Sequence, residues 1–308
     1  MTTDASQAPG ASVYIVSLNW NRCEDTLALL QSLQKLTYPN FHTVVIDNGS
    51  TDDSVARIRQ AYPQVIQICN GRNLGFGRGF NVGIQYALDQ GAEYVLIINN
   101  DTFVDPQILT RLMEHARPEI GILAPLIYFA ADPGRIWSGG GFFSRFTLEV
   151  KHDLDAVIDT GLPEITERDF VPGCAMLFPA VVLHSVGLFD ENFYLYYEDL
   201  DLCCRVRAAG YPIRLVSSAK MWHKVSQSSG GKHSTNERYW MARSSIIYFR
   251  KHALAWQVPF ICFWRLGSAL KTSLRLALAK RPEALKAYWQ GLWDGLRMPN
   301  GKNIKTGF

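Results

Sequence analysis

The chain has 308 residues, room for one large domain or one domain with an appendage, and its 47% hydrophobic, 19% charged composition is that of a folded protein rather than a disordered one. A formal net charge of only +3 argues against a broad nucleic-acid-binding face. Cys23, Cys69, Cys174, Cys203, Cys204 and Cys262 form no Cys-x-x-Cys, which speaks against a zinc site or a disulfide framework and fits a reducing compartment.

Residues 1–12 are polar, read as a disordered tail, and lack the apolar and basic regions of a secretory signal. Residues 13–18 read as a strand, followed by a helical pattern through Leu27, Leu30, Leu33 and Leu36 that stops near Pro39. Residues 43–46 form a second strand, after which Asp52 or Asp53 caps a helix through Val55 and Ile58. A third strand at 65–69 leads to a helix over 77–89 that closes at Gly91, and a fourth strand spans 94–98. Pro106 suits the first turn of a helix reaching His115. These repeated units predict an α/β fold, a mostly parallel central sheet flanked by helices.

Beyond Gly121 the pattern changes. Short strand-like pieces (122–123, 176–178, 213–216) alternate with Gly-rich or aromatic loops such as Trp137-Ser138-Gly139-Gly140-Gly141. Residues 199–209 read as a short helix stopped by Gly210 and Pro212, and residues 236–296 as helical throughout.

Two buried strands end in polar clusters. Tyr94-Val95-Leu96-Ile97-Ile98 runs into Asn99-Asn100-Asp101, and Thr43-Val44-Val45-Ile46 into Asp47-Asn48-Gly49-Ser50-Thr51-Asp52. A carboxylate at the carboxyl end of a buried parallel strand is how an open α/β sheet presents a metal and phosphate site; the same residues also suit Asn/Asp turns. Gly75-Phe76-Gly77-Arg78-Gly79-Phe80 approaches a dinucleotide signature but has Phe80 in place of the third glycine.

In this order, Ser17-Leu18-Asn19-Trp20-Asn21, the Asp47–Asp52 cluster, Asn73-Leu74-Gly75-Phe76-Gly77 with Asn81-Val82-Gly83, Asn99-Asn100-Asp101, Gly187-Leu188-Phe189-Asp190-Glu191, Tyr197-Glu198-Asp199-Leu200-Asp201, and His223 with Ser226 and Ser228 make the chain resemble family 2 glycosyltransferases of the GT-A fold, in particular bacterial rhamnosyltransferase-like enzymes. The likeness covers roughly residues 13–250. It implies a donor half of about 13–120, an acceptor half of about 121–250, and a C-terminal helical region over 251–308.

The resemblance implies a donor-nucleotide site drawn from Asn19, Asp47, Asn48, Asn73, Arg78 and Asn100, with Asp47 accepting the N3–H of uracil or thymine. The family's metal motif is usually Asp-x-Asp. Here only Asp101 remains of it, and His223 is the second ligand expected for Mg²⁺ or Mn²⁺, whose Lewis acidity would stabilise the departing diphosphate. Asp199 matches the general base and Glu198 its partner; Glu198 and Asp201, three apart on a helix, are expected to share a face beside it. Trp137, Gly173 and Asp201 are the acceptor-side candidates.

Residues 254–279 interleave Trp256, Phe260, Phe263 and Trp264 with Arg265, Lys271 and Arg275, and the charge-free run is too short to span a membrane. The pattern fits a helix lying in a membrane interface and equally a helical pair packed on the domain or in a homo-oligomer. The expected activity is an inverting, metal-dependent transfer of a sugar, rhamnose first, from a dTDP- or UDP-sugar to a saccharide or lipid-linked acceptor in surface polysaccharide synthesis. The enzyme would be cytoplasmic or at the inner face of the plasma membrane. A nucleotidyltransferase would need a Gly-rich basic signature that residues 17–21 lack, and a catalytically silent sugar-nucleotide-binding scaffold leaves Asp47, Asp101 and Asp199 unexplained.

Overall fold

The computed structural model describes residues 10–225 and 234–298; Ser226 and Ser228 lie outside them. Residues 10–12 are not part of a loose tail: Tyr38 donates to the Ala11 carbonyl, Asn40 to that of Gly10, and the Ser12 carbonyl receives the Tyr94 N–H. The βα repeats follow as β1 (Val13–Asn19), α1 (Cys23–Leu33), β2 (Phe41–Asp47), α2 (Ser54–Ala61), β3 (Ile66–Cys69), α3 (Phe76–Asp89) and β4 (Tyr94–Asn99). Helix α1 ends earlier than the leucine spacing suggests, its last turn tightening as the Lys35 and Leu36 N–H groups bond the Ser32 and Leu33 carbonyls.

The apolar runs of β1 and β4 are continuous because both faces are covered. Ile15, Leu96 and Ile98 face Leu29, Leu30 and Leu33 of α1. Val16, Val95 and Ile97 face Phe80, Ile84 and Ala87 of α3. Gly83 lets α3 lie close to the sheet, since a Cβ there would press into the Val16 and Ile46 side chains.

The second half adds β5 (Thr102–Val104), α4 (Ile108–Glu114), β6 (Ile122–Phe129), β7 (Asp132–Ser138), β8 (Gly141–Phe143), β9 (Val150–His152), β10 (Ile165–Arg168), β11 (Ala175–Pro179), α5 (Ala180–Val186), α6 (Glu198–Ala208) and β12 (Ile213–His223). The sheet order is β10-β12-β6-β11-β4-β1-β2-β3, with β5 on β12 and β7 on β6. Strands β3, β2, β1, β4, β6 and β12 run the same way, and β11 is reversed between β4 and β6. Strands β6 and β12 are longer than the short pieces read from sequence. Pro125, which cannot donate to a ladder, lies opposite Val216, and β12 shifts register directly after that pair, between Val216 and Lys220. Trp137 and Ser138 close β7 instead of forming a loop. Pro106 stands in the turn ahead of α4, whose first N–H, from Ile108, bonds the Asp105 carbonyl.

Three helices end the described chain, α7 (Thr235–His252), α8 (Val258–Leu278) and α9 (Pro282–Arg297), with a break around residues 253–257. Asp201 on α6, expected beside the acceptor, instead ties α6 to α7. Fully buried, it receives Arg205 Nε at 2.9 Å, Lys251 Nζ at 2.7 Å and His252 Nε2 at 2.8 Å. Burial opposes its charge, but His252, Arg205 and Lys251 together hold its pKa well below the usual carboxylate range. Asp201→Ala would remove the buried carboxylate that Arg205, Lys251 and His252 share, so denaturant unfolding should show a loss of about 3–5 kcal/mol. Because the folded carboxyl titrates below its unfolded value, the stabilisation should be present above about pH 4 and fade only as the pH falls below that.

Candidate active site

The carboxyl ends of β1, β2 and β4 bring the first group of polar residues together. Asn19, buried at the end of β1, donates Nδ2 to Asp47 Oδ1 at 3.0 Å and accepts the Thr26 hydroxyl at 2.7 Å. Thr26 in turn receives Asn100 Nδ2 at 2.9 Å. Asp47 Oδ2 accepts the Ser50 N–H at 2.9 Å, so Asp47 also closes a turn of its own. A carboxylate has four acceptor positions, and these two bonds leave it capacity for a further donor.

Asn48 does different work. Its amide nitrogen donates to Asn73 Oδ1 and the Gly75 carbonyl, and its oxygen accepts from Asn70 Nδ2 and the Leu74 N–H. Both Asn48 and Asn73 are therefore committed to shaping the loop between β3 and α3. Arg78 is not brought into this group: exposed on α3, it pairs with Glu191 at 3.2 Å.

Asp101 follows β4, and the pairing of β12 with β5 sets His223 beside it, Nε2 lying 3.1 Å from Asp101 Oδ1 with both side chains buried. Trp137 stands edge-on to the imidazole at 4.5 Å, and His223 Nδ1 has no hydrogen-bond partner. Burial works against a charge on the ring, but the Cys174 sulfur and the Asp101 carboxylate work for one, and the pKa is pushed up to about 10. One carboxylate and one imidazole are donors that would suit a divalent ion, though two protein ligands alone would not complete its shell. Among the described residues no cluster of three or more His, Cys, Asp or Glu side chains is arranged to hold a metal by itself.

A cleft of about 480 Å³ opens between the β7–β9 segment, α6 and α7, lined by Trp137, His152, Tyr197, Glu198, Asp199 and Phe249 among others. Half-buried Asp199 is held by two backbone donors, Gly173 N–H to Oδ2 at 2.9 Å and Leu200 N–H to Oδ1 at 2.8 Å. Gly173 thus fixes the carboxylate through its backbone. Burial raises the Asp199 pKa and these N–H groups pull it back, with a net upward shift. Glu198 is only 4% exposed and its Oε2 has no partner. Burial first, then the Asp199 charge, push its pKa well above the usual range. Tyr196 and Tyr197, just before this pair, hold left-handed backbone angles (φ 67° and 69°) that non-glycine residues rarely adopt. Packing of Tyr197 against Tyr248 and Phe249 holds the turn.

Sequence reading missed Thr26, which joins Asn19 to Asn100, and Ser50, whose hydroxyl bonds both Asn19 and Asn21. It also missed Asp25, which pairs with Lys224 at 2.7 Å and anchors α1 to the residue after His223, and His152 in the cleft. For Thr26, one turn into the helix after Asn19, the signal was its nearness to that strand end. His152 sits in a short hairpin with no motif to mark it.

The chain belongs to Glycosyl transferase family 2, whose model matches residues 12–182, more than half of its length. Asp199 and His223 lie beyond that span. The dTDP-rhamnosyl transferase RfbF of Shigella flexneri is 24% identical over 301 residues, covering 93% of this chain and 96% of that protein. An N-acetylglucosaminyl-diphospho-decaprenol L-rhamnosyltransferase of Mycobacterium tuberculosis is 27% identical over 278 residues, covering 82% and 89%. Among solved structures, GalNAc-T7 with UDP, GalNAc and Mn²⁺ superposes with a TM-score of 0.61 at 15% identity over 82% of this chain and 52% of that one. The mannosyltransferase PcManGT of Pyrobaculum calidifontis, with GDP-Man and Mn²⁺, gives 0.56 at 16% identity over 94% and 90%. The fold is that of GT-A glycosyltransferases.

The Asn48 network yields a test of its own. Asn48→Ala removes four hydrogen bonds around the β3–α3 loop, and thermal or denaturant unfolding should register a loss of roughly 2–4 kcal/mol. Unchanged stability would mean that the loop is held elsewhere.

Proposed function

We propose that this family 2 glycosyltransferase is an inverting, metal-dependent enzyme that moves a sugar, rhamnose first, from a dTDP- or UDP-linked donor to a saccharide or lipid-linked acceptor at the inner face of the plasma membrane. The names of the two bacterial relatives support the sugar and the lipid-linked acceptor. The observation that carries the reading is the pair Glu198–Asp199 in the wall of a cleft lined by the neighbour of His223, Trp137.

Asn19, Asp47 and Asn100 line the donor side, with Asp47 accepting a pyrimidine imide N–H. Asp101 and His223 would hold a divalent ion, which when bound would supply Lewis acidity towards the departing diphosphate. Asp199 takes the proton of the acceptor hydroxyl while that oxygen bonds to the anomeric carbon and the bond to the diphosphate oxygen breaks. Its two backbone donors fix the carboxylate's direction, and burial makes it a stronger base than a solvated aspartate. Glu198, its pKa raised by burial and by the Asp199 charge, stands beside the base in the cleft wall and helps to orient the acceptor.

Asp199→Asn should bind donor and metal normally while transfer falls by a factor of ~10²–10⁴. In the wild type, transfer should decline on acidification through a pKa above the ordinary aspartate value, because the base must be ionised; that limb should vanish from the residual rate of the variant. Near wild-type transfer by Asp199→Asn would show that another group is the base.

His223→Ala should weaken Mn²⁺ binding by roughly 10-fold or more in a titration of the protein alone. Since the imidazole must lose its proton to ligate, wild-type metal affinity should rise with pH towards 10 and the variant's should rise less. Normal metal titration with a lowered melting temperature would make His223 a packing residue.

A further inference from the structure

No described helix is long and apolar enough to cross a membrane, yet α8 turns its most hydrophobic side outward. Ile261, Ala269 and Leu276 pack inward. The opposite face carries Phe263, Leu266, Leu270, Leu274 and Leu278 at steps of three and four, and these are 60–81% exposed. A folded chain normally buries such a stripe, so something covers it.

Charge identifies the occupant. No Asp or Glu occurs between His252 and Pro282, while Lys271 and Arg275, both exposed, follow the same edge of the stripe. A second copy docking the same face would set these cations against their own counterparts with no acid on the helix to answer them. An anionic lipid surface satisfies both features, taking the apolar stripe into its acyl boundary and the cations at its headgroups.

The stripe also continues to the cleft. Phe146 is exposed beside Trp256 and Phe260, at ring distances of 6.0 and 5.4 Å. Gln257 Nε2 donates to the Arg145 carbonyl at 2.7 Å, and Arg265 of α8 pairs with Glu149 at 3.4 Å. Leu148 and Glu149, in the same turn, line the cleft that holds Asp199. We propose that the outer face of α8, with Phe146, Trp256 and Phe260, docks on an anionic lipid bilayer and sets the mouth of the acceptor cleft against it. This rests on the reading of the acceptor as lipid-linked: such a molecule would enter from the membrane plane with its saccharide end first.

The test is sedimentation of the full-length protein with vesicles of equal parts phosphatidylcholine and phosphatidylglycerol. Binding is expected at low salt, weakened by high salt and by pure phosphatidylcholine. Phe263→Ser with Leu274→Ser, and separately Lys271→Glu with Arg275→Glu, should each lower partitioning by ~10-fold or more. Both sets lie on the exposed face, so melting temperature and transfer to a short water-soluble acceptor should be unchanged, while transfer to an acceptor anchored in the vesicles falls. A wild-type protein that ignores both vesicles overturns the proposal. So does a dimer in ultracentrifugation that these same substitutions dissociate, which would assign the face to a second copy. Vesicle binding without any transfer would leave the docking surface standing and overturn the donor and acceptor reading instead.

Discussion

Burial of β1 and β4 on both faces is the constraint from which the rest of this molecule follows. With α1 on one side and α3 on the other, a polar side chain in the middle of these strands would sit in hydrocarbon without a partner. Apart from Ser17, whose hydroxyl is buried in β1 without a partner, the polar side chains of these two strands are gathered at their ends. At the carboxyl end polar groups accumulate: Asn19, Asp47, Asn100 and Asp101 are all buried, yet each finds a partner there. Hydrogen bonds among them, and through Thr26 and His223, fix these side chains in place.

The start of α6 shows how one acidic run is divided among three fates. Glu198, Asp199 and Asp201 stand within a single turn, and each meets a different environment. Asp201 is surrounded by cations and fixed as an anion. Asp199 has backbone N–H groups and a cleft. Glu198 has burial and an orphaned oxygen, so its charged form is the costly one. The left-handed backbone at Tyr196 and Tyr197 turns the chain into this helix, and the aromatic packing under Tyr197 holds that uncommon conformation.

Much of this was legible in the residues. The paired strand ends at Asp47 and Asp101 could be read because continuous apolar runs stop abruptly at amides and carboxylates. The pairing of His223 with Asp101 came from family resemblance, and the geometry brings the two into contact. Asp201 was misplaced because a three-residue spacing to Glu198 was weighed and the four-residue spacing to Arg205 was not; the latter is the ion pair that forms. Strands β6 and β12 were cut short by Pro125 and by Ser217-Ser218, and their continuity depends on a register shift that no single strand reveals. The role of Asn48 was likewise hidden, since its four partners are spread over the next loop and only meet once the chain has turned.

The bond between His223 and Asp101 closes a span of 122 residues. That span includes β6, β11 and α6, so the two side chains meet only after the last strand of the sheet has been laid along its neighbour. Long closures of this kind come late and slowly in folding, because the chain entropy must be surrendered before the contact is made. A nascent or partly opened chain has Asp101 without its imidazole partner. Under the proposed reading of these two side chains as ligands, a divalent cation would bind only completed molecules and draw the population towards the finished state.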